Sequence, residues 1–303
     1  EALAPAVDLA ERGLACTARI ADKWARAERA PLPAPRAGER YGLPELGATL
    51  RRIAQDGPDA FYAGEVARAI SSACWLSEED LAAHRSEWVE PLRYDYRGVE
   101  VCELPPNGQG AAALIALALY DGLPPTLHSR IEAVKLALAD AYGHFHDGPF
   151  PQFLLEPVHL AGRRALVAPD RALDPEPSAP PRSGTTYLCV VDGERNAVSL
   201  IQSVYEPFGS GIVAPGTGVV LQNRGACFVE AEGHPNRLEP AKRPFHTIIP
   251  GLLLEGGELL GPFGVMGGAR QPQGHFQGVH RLVDEGDDPQ AALDAPRFRV
   301  EGG

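Results

Sequence analysis

Residues 183–192 read Ser-Gly-Thr-Thr-Tyr-Leu-Cys-Val-Val-Asp, a threonine pair behind a glycine at the mouth of an apolar run. A threonine hydroxyl is a poor nucleophile by itself. If the chain is cut between Gly184 and Thr185, however, the freed α-amine lies a bond or two from the hydroxyl and can act as its base. An α-amine titrates at about 7.7–8.0, close to what a general base needs at neutral pH. One peptide scission would therefore create nucleophile and base together. Taken alone, Thr-Thr also opens many ordinary strands, because β-branched residues suit them.

The other reactive side chains are less pointed. His144 and His146 form a His-x-His, but helical spacing turns them to different faces and no third ligand is evident, so a metal is not expected there. The five cysteines, Cys16, Cys74, Cys102, Cys189 and Cys227, are scattered with no C-x-x-C pair, which fits neither a zinc site nor a disulfide framework. Lysine plus arginine number 28 against 40 for aspartate plus glutamate, a net charge of −12 that argues against nucleic acid as a partner. No run reaches the ~18 apolar residues of a membrane helix. A chain of 303 residues with 44% hydrophobic content can bury a substantial core.

The elements that must position Thr185 divide by pattern into a helix-rich first half and a strand-rich second half. Leu46, Leu50 and Ile53 have helical spacing over 44–56, with Gly57 placed to stop the helix. Asp59 is placed to cap a helix over 60–72, and Ser77 with Asp80 makes a capping-box start for a short one. Tyr94, Tyr96, Val99 and Val101 predict a hairpin turning at Arg97-Gly98. Helix returns over 109–119, and again over 133–145 behind a second capping-box pattern at Ser129 and Glu132. Pro169, Pro175, Pro177, Pro180 and Pro181 mark an extended linker leading to Gly184. Strands are expected at 186–192, 196–204, 211–221 and 247–254, then a helix near 271–284. Helices first and strands later favour α+β over alternating α/β.

Several runs carry a resemblance. Thr185 to Asp192, then Asn196-Ala197-Val198-Ser199, Phe208-Gly209-Ser210-Gly211, Lys242-Arg243-Pro244, Gly267-Gly268 and Ala295-Pro296-Arg297-Phe298 resemble the small subunit of the γ-glutamyltranspeptidase family in order and spacing. Upstream, Asp59-Ala60-Phe61-Tyr62, Asp95-Tyr96-Arg97-Gly98 and Ala133-Val134-Lys135-Leu136-Ala137 resemble the second part of its large subunit. Each run is weak alone; their joint order is specific. Family precursors also carry chain before the stretch matching 5–10 and after the one matching 295–298, so this chain resembles a stretch shortened at both ends.

The resemblance implies an α+β fold, the four-layer αββα sandwich of N-terminal nucleophile hydrolases. Residues 1–184 would be the end of the large subunit and 185–303 the small subunit, together forming one structural domain. Cleavage between Gly184 and Thr185 would be autocatalytic, with Thr185 then the nucleophile and Ser203 the hydroxyl that hydrogen-bonds it. Gly267 and Gly268 match the oxyanion-hole pair, whose lack of side chains lets backbone N–H groups approach the tetrahedral intermediate. Implied partners are a small-molecule amide substrate and the two subunits of one precursor, with room for a homodimer of such heterodimers. No metal or organic cofactor is implied, nor nucleic acid or membrane.

The departures bear on substrate. Where γ-glutamyl enzymes hold the substrate ammonium with Asn, Gln and Asp, this chain has Tyr205, Arg224 and Cys227, and a thiol cannot replace a carboxylate there. The serine pair after Lys-Arg-Pro is His246-Thr247. Arg224, if it faces the substrate, adds a planar fork suited to a carboxylate, and a structural ion pair is its bland alternative. For His246 the bland alternative, a hydrogen-bonded wall, is favoured because the amine is the base. Leu221-Gln222-Asn223-Arg224-Gly225, Pro105 to Gly110, and Gln271-Pro272-Gln273-Gly274-His275 resemble the branch of the family that contains oxamate amidohydrolase. The expectation is a self-processing hydrolase of a small acidic amide such as oxamate. The alternatives are a γ-glutamyltransferase or glutathione hydrolase, and a non-catalytic descendant that keeps the fold. Free thiols and that branch point to the cytoplasm, and a missing leader would point to export instead.

Overall fold

A computed structural model describes residues 1–175 and 184–301; the expected linker prolines Pro177, Pro180 and Pro181 lie outside the described residues. The chain divides into two compact units, 1–88 with 206–223, and 89–205 with 224–303.

The first unit begins with α1 (Ala4–Arg12), β1 (Leu14–Ala15), α2 (Ala18–Ala25), β2 (Arg40–Tyr41) and α3 (Pro44–Asp56). Pro44 starts α3 because its fixed φ suits the first helical turn, and Gly57 at φ 82° stops it, as the sequence predicts. The single helix expected over 60–72 is two, α4 (Asp59–Tyr62) and α5 (Gly64–Ala73), broken at extended Ala63 with Pro58 rather than Asp59 at the cap. Ser77 and Asp80 close the expected capping box on α6 (Glu78–Ala83), each side chain accepting from the other's backbone N–H. Val66, Ala67, Ile70, Leu81 and Ala214 form this unit's apolar cluster. The strand expected at 211–221 is a looped segment holding one bridge, Val213 to Val220. Gly211, Gly216 and Gly218 turn it through positive φ, and a Cβ on Gly218 would lie 2.4 Å from the backbone nitrogen of Leu46.

The second unit carries the residues of interest. β3 (Leu92–Tyr96) and β4 (Val99–Glu103) form the expected hairpin, with Arg97 and Gly98 both at positive φ as a two-residue turn requires. α7 (Gly110–Asp121) is buried on every face, its Leu114, Ile115, Leu117 and Leu119 fully so, and each such side chain stabilises by about 1.5–3 kcal/mol. α8 (Leu127–His144) starts earlier than expected. Thr126 takes the cap by accepting from Ser129 N–H, which leaves Ser129 inside the helix, while Glu132 turns to Lys135 and the Leu173 N–H. α9 (Pro157–Arg164) follows.

Then β5 (Gly184–Val191) and β6 (Ala197–Tyr205) pair as an antiparallel ribbon. β7 (Gly251–Glu255) starts later than expected, because 245–250 serves as a hydrogen-bonded connector, and β8 (Glu258–Phe263) follows it. β3, β4, β7 and β8 make an antiparallel sheet in that order, packed against α7. The β5–β6 ribbon meets β8, where Ser199 Oγ donates to the Phe263 carbonyl and Tyr187 lies against Gly264. α10 (Gln271–Val283), within the predicted 271–284, covers α7, and α11 (Pro289–Asp294) is the last described helix. The described residues of this unit thus supply a helical layer, one full sheet and a two-stranded ribbon.

Candidate functional site

Thr185 sits one residue into β5, half-buried, where the ladder slips: Gly184 faces Tyr205 and Thr186 faces Gln202, leaving Thr185 in a bulge. A bulge re-aims the side chain it carries. Thr185 Oγ1 accepts from Gln271 Nε2 at 3.4 Å, and Gln271 Oε1 accepts from the Ile249 N–H at 3.1 Å. Gln271 is fully buried and is the first residue of α10. It follows a single 3₁₀ turn, Gly268–Arg270, whose entry needs Gly267 at φ 134° and Gly268 at φ 60°. The two glycines are therefore set by backbone geometry that other residues strain to adopt.

A second cluster forms around Arg224, which heads the 3₁₀ turn Arg224–Cys227 and is 2% exposed. Its Nη1 donates to Thr247 Oγ1 at 2.7 Å, its Nη2 to Ser203 Oγ at 3.1 Å, and its guanidinium lies 4.7 Å over the Tyr205 ring. Ser203 Oγ also accepts from the Tyr205 N–H. Tyr205 is held at φ 79°, a left-handed conformation costing about 1–3 kcal/mol for such a residue, and such outliers gather at functional sites. Burial pushes the guanidinium down from its ordinary range, with the Cys227 thiol and Tyr205 phenol beside it acting the other way. No carboxylate pairs with it among the described residues, so the structural ion pair held open by the sequence is not what forms.

His246 and Thr247 belong to the connector before β7. His246 Nδ1 accepts from the Ile248 N–H, and burial, with the Arg224 charge behind it, holds its pKa down to about 3. It is a hydrogen-bonded, part-buried imidazole. Thr247 is fully buried. Gln109 Nε2 donates to the Thr247 carbonyl at 2.6 Å and to the Gly268 carbonyl at 2.8 Å, tying the connector to the glycine turn. Ser203, Tyr205, Arg224, Cys227 and Thr247 thus form one group. Thr185 and the glycine turn are joined to the same connector through Gln271 and Gln109.

Sequence reasoning passed over both glutamines, although each lies in a run that carries the resemblance. It also passed over Glu103 and His275, fully buried side chains whose Oε1 and Nδ1 lie 2.5 Å apart. Burial raises the Glu103 carboxyl, with His275 opposing. Among the described residues no three His, Cys, Asp or Glu side chains gather as a metal site would need, and no helix is long and apolar enough to cross a membrane.

A family model described as gamma-glutamyltranspeptidase matches residues 1–302. The glutathione hydrolase-like YwrD proenzyme of Bacillus subtilis is 37% identical over 94% of this chain and 57% of its own length. The oxamate amidohydrolase proenzyme of Klebsiella pneumoniae is 35% identical over 88% of this chain and 53% of its own. The crystal structure of cephalosporin acylase from Bacillus halodurans superposes with a TM-score of 0.88 at 41% identity, covering 99% of this chain and 62% of that one. This chain spans little more than half the length of these relatives. Its fold is that of the N-terminal nucleophile hydrolases, as expected.

Proposed function

Since the chain belongs to the gamma-glutamyltranspeptidase family, we propose that it acts in a self-processing amide hydrolase with Thr185 as nucleophile. Thr185 Oγ attacks the Gly184 carbonyl carbon, the Gly184–Thr185 C–N bond breaks as the nitrogen takes the hydroxyl proton, and water hydrolyses the resulting ester. Gly184 is left as a carboxylate and Thr185 with a free amine. In turnover that amine accepts the hydroxyl proton while Oγ bonds the substrate carbonyl carbon, and the proton departs with the leaving amine. Water then displaces Oγ and releases the acid. The N–H groups at Gly267 and Gly268 stabilise the oxyanion in both halves, and Ser203 supports the nucleophile as its neighbour in the ladder.

The observation that carries the substrate reading is Arg224, a buried cation with no carboxylate partner among the described residues. Burying an unpaired charge is costly, and a substrate carboxylate offsets that cost. The same charge, with Cys227 beside it, opposes the ammonium of a γ-glutamyl group. In the uncut chain Gly184 pairs with Tyr205, whose ring lies under the guanidinium. Cleavage frees that strand end and gives a small acidic amide, such as oxamate, its approach. Tyr205, His246 and Thr247 wall the position and Thr247 shares the guanidinium. Location follows the free thiols and the oxamate-like relative, towards the cytoplasm.

The test uses the full-length gene product. Wild type is expected to resolve into two fragments, the smaller starting at Thr185, and to hydrolyse oxamate faster than a γ-glutamyl anilide. Thr185→Ala should stay one chain and be inactive. A Thr185→Ala protein that still splits before residue 185 would overturn the nucleophile. A preference for the anilide would overturn the acidic amide and restore the γ-glutamyl alternative.

A further inference from the structure

The nucleophile's oxygen has a single described side-chain partner with a fixed donor, Gln271. A carboxamide can present either end to a hydroxyl, and here the choice is forced. The Ile249 N–H can only donate, so it takes Oε1 and leaves Nε2 facing Thr185 Oγ1. Ile249 is 1% exposed and Gln271 fully buried, so water does not compete for either end. Gln271 also stands at the first position of α10, with Pro272 after it and the glycine turn immediately before it. Backbone on both sides is stiff, and the amide cannot swing away without leaving the Ile249 N–H unpaired.

We infer that Gln271 is a positioning residue for the proposed nucleophile, a reading that rests on Thr185 acting as described above. Its N–H fills an acceptor site on Oγ1, which turns the hydroxyl proton away from α10 and towards the threonine's own nitrogen. As the proton leaves and Oγ bonds the carbonyl carbon, the growing negative charge meets a donor already in place. The 3.4 Å separation is that of a resting hydroxyl; such contacts tighten as charge develops. During deacylation the same N–H faces Oγ as it becomes the leaving group. The glycine turn and Gln271 are continuous in sequence, so one short segment would serve both the carbonyl oxygen and the attacking oxygen.

The experiment compares Gln271→Glu and Gln271→Met with wild type and Thr185→Ala in the full-length protein, each rate expressed per cleaved chain. Gln271→Glu keeps an acceptor for Ile249 but replaces the donor with a carboxylate; Gln271→Met removes donor and charge. Both are expected to lower kcat by roughly 10- to 150-fold, the worth of a hydrogen bond to a charged group, with KM changed less than about threefold. The ratio of wild-type to Gln271→Glu kcat should shrink as pH falls towards 5, where the introduced carboxyl takes a proton and can donate again. Gln271→Met should show no such convergence, and a merely structural role would move neither pH profile. A folded variant that no longer cuts itself counts as the extreme of the same effect. If Gln271→Met does not fold, Gln271→Glu carries the test through its pH profile; if neither folds, Gln271 is structural and the inference is overturned. Wild-type kcat in either folded variant overturns it too. Activity in Thr185→Ala would overturn the underlying reading, whereas inactive Thr185→Ala beside fully active Gln271 variants would remove only this inference.

Discussion

Asp140 on α8 and Arg224 before β7 are both about 98% buried in the same unit, yet their surroundings differ in kind. Asp140 accepts from Arg163 through Nε and Nη2 and from His159 Nε2 at 3.0 Å, so its charge is met by a guanidinium cation and an imidazole N–H. Arg224 is met by two hydroxyls, an aromatic face and a thiol. The first arrangement closes its charge balance within the protein, as a structural ion pair must. The second holds no carboxylate among the described residues, and that open balance is what the proposed substrate carboxylate would close.

The comparison can be broken most forcefully by removing Asp140. Asp140→Ala leaves Arg163 without its carboxylate and should destabilise the protein by roughly 3 kcal/mol, the low end for a broken buried pair because a quarter of Arg163 stays in water. A urea-denaturation midpoint measures it. Arg224→Met, by contrast, strands no opposite charge. It should leave the midpoint unchanged or raised while lowering kcat/KM for an anionic amide by roughly 10- to 150-fold. Equal destabilisation by the two substitutions would mean that Arg224 is balanced inside the protein after all.

His246 sharpens the contrast through pH. Its folded pKa, about 3, lies below the ~6.5 of an unfolded histidine. Between those values the unfolded chain binds the extra proton and the folded one does not, so stability falls as pH drops from 6.5 towards 3. The slope from this one group is about 1.4 kcal/mol per pH unit. His246→Gln should flatten the acid limb of a midpoint-versus-pH plot by that much. An unchanged limb would mean that His246 already carries a proton beside Arg224, and that the guanidinium's field there is weak.

These groups were unequally legible in the sequence. Thr185 stood out because the chemistry proposed for it is local: the base would be its own amine, and a glycine precedes it. Gly267-Gly268 drew notice for a similar reason, since two adjacent residues without side chains suit a backbone approach, and both have positive φ. Arg224 showed its type but not its partners, because Ser203, Tyr205 and Thr247 reach it from separate stretches that only the fold joins. Gln109 and Gln271 were hidden. An amide has no pKa and no motif, so its role is visible only when both its ends are seen to be occupied. The misread elements have equally local causes. At 211–221 glycines with positive φ outweigh the β-branched residues, and at α8 the threonine three residues ahead of Ser129 captures the cap first.

The smallest expected effect lies at the surface of the other unit. Arg51 pairs with Glu11 through two nitrogens, a geometry that resembles the Arg163–Asp140 pair on paper. Both side chains are open to water, however, with Arg51 53% and Glu11 36% exposed. Solvent screens the attraction and already satisfies each ion when the partner is absent. Arg51→Ala should therefore leave the denaturation midpoint where it was, and should do so equally at low and high salt. If Arg51→Ala proved as damaging as Asp140→Ala, contact geometry alone would set the worth of an ion pair here. The openness of the Arg224 charge balance would then lose its meaning. If it is silent, burial is what makes an unmet charge matter, and the proposed substrate carboxylate at Arg224 keeps its rationale.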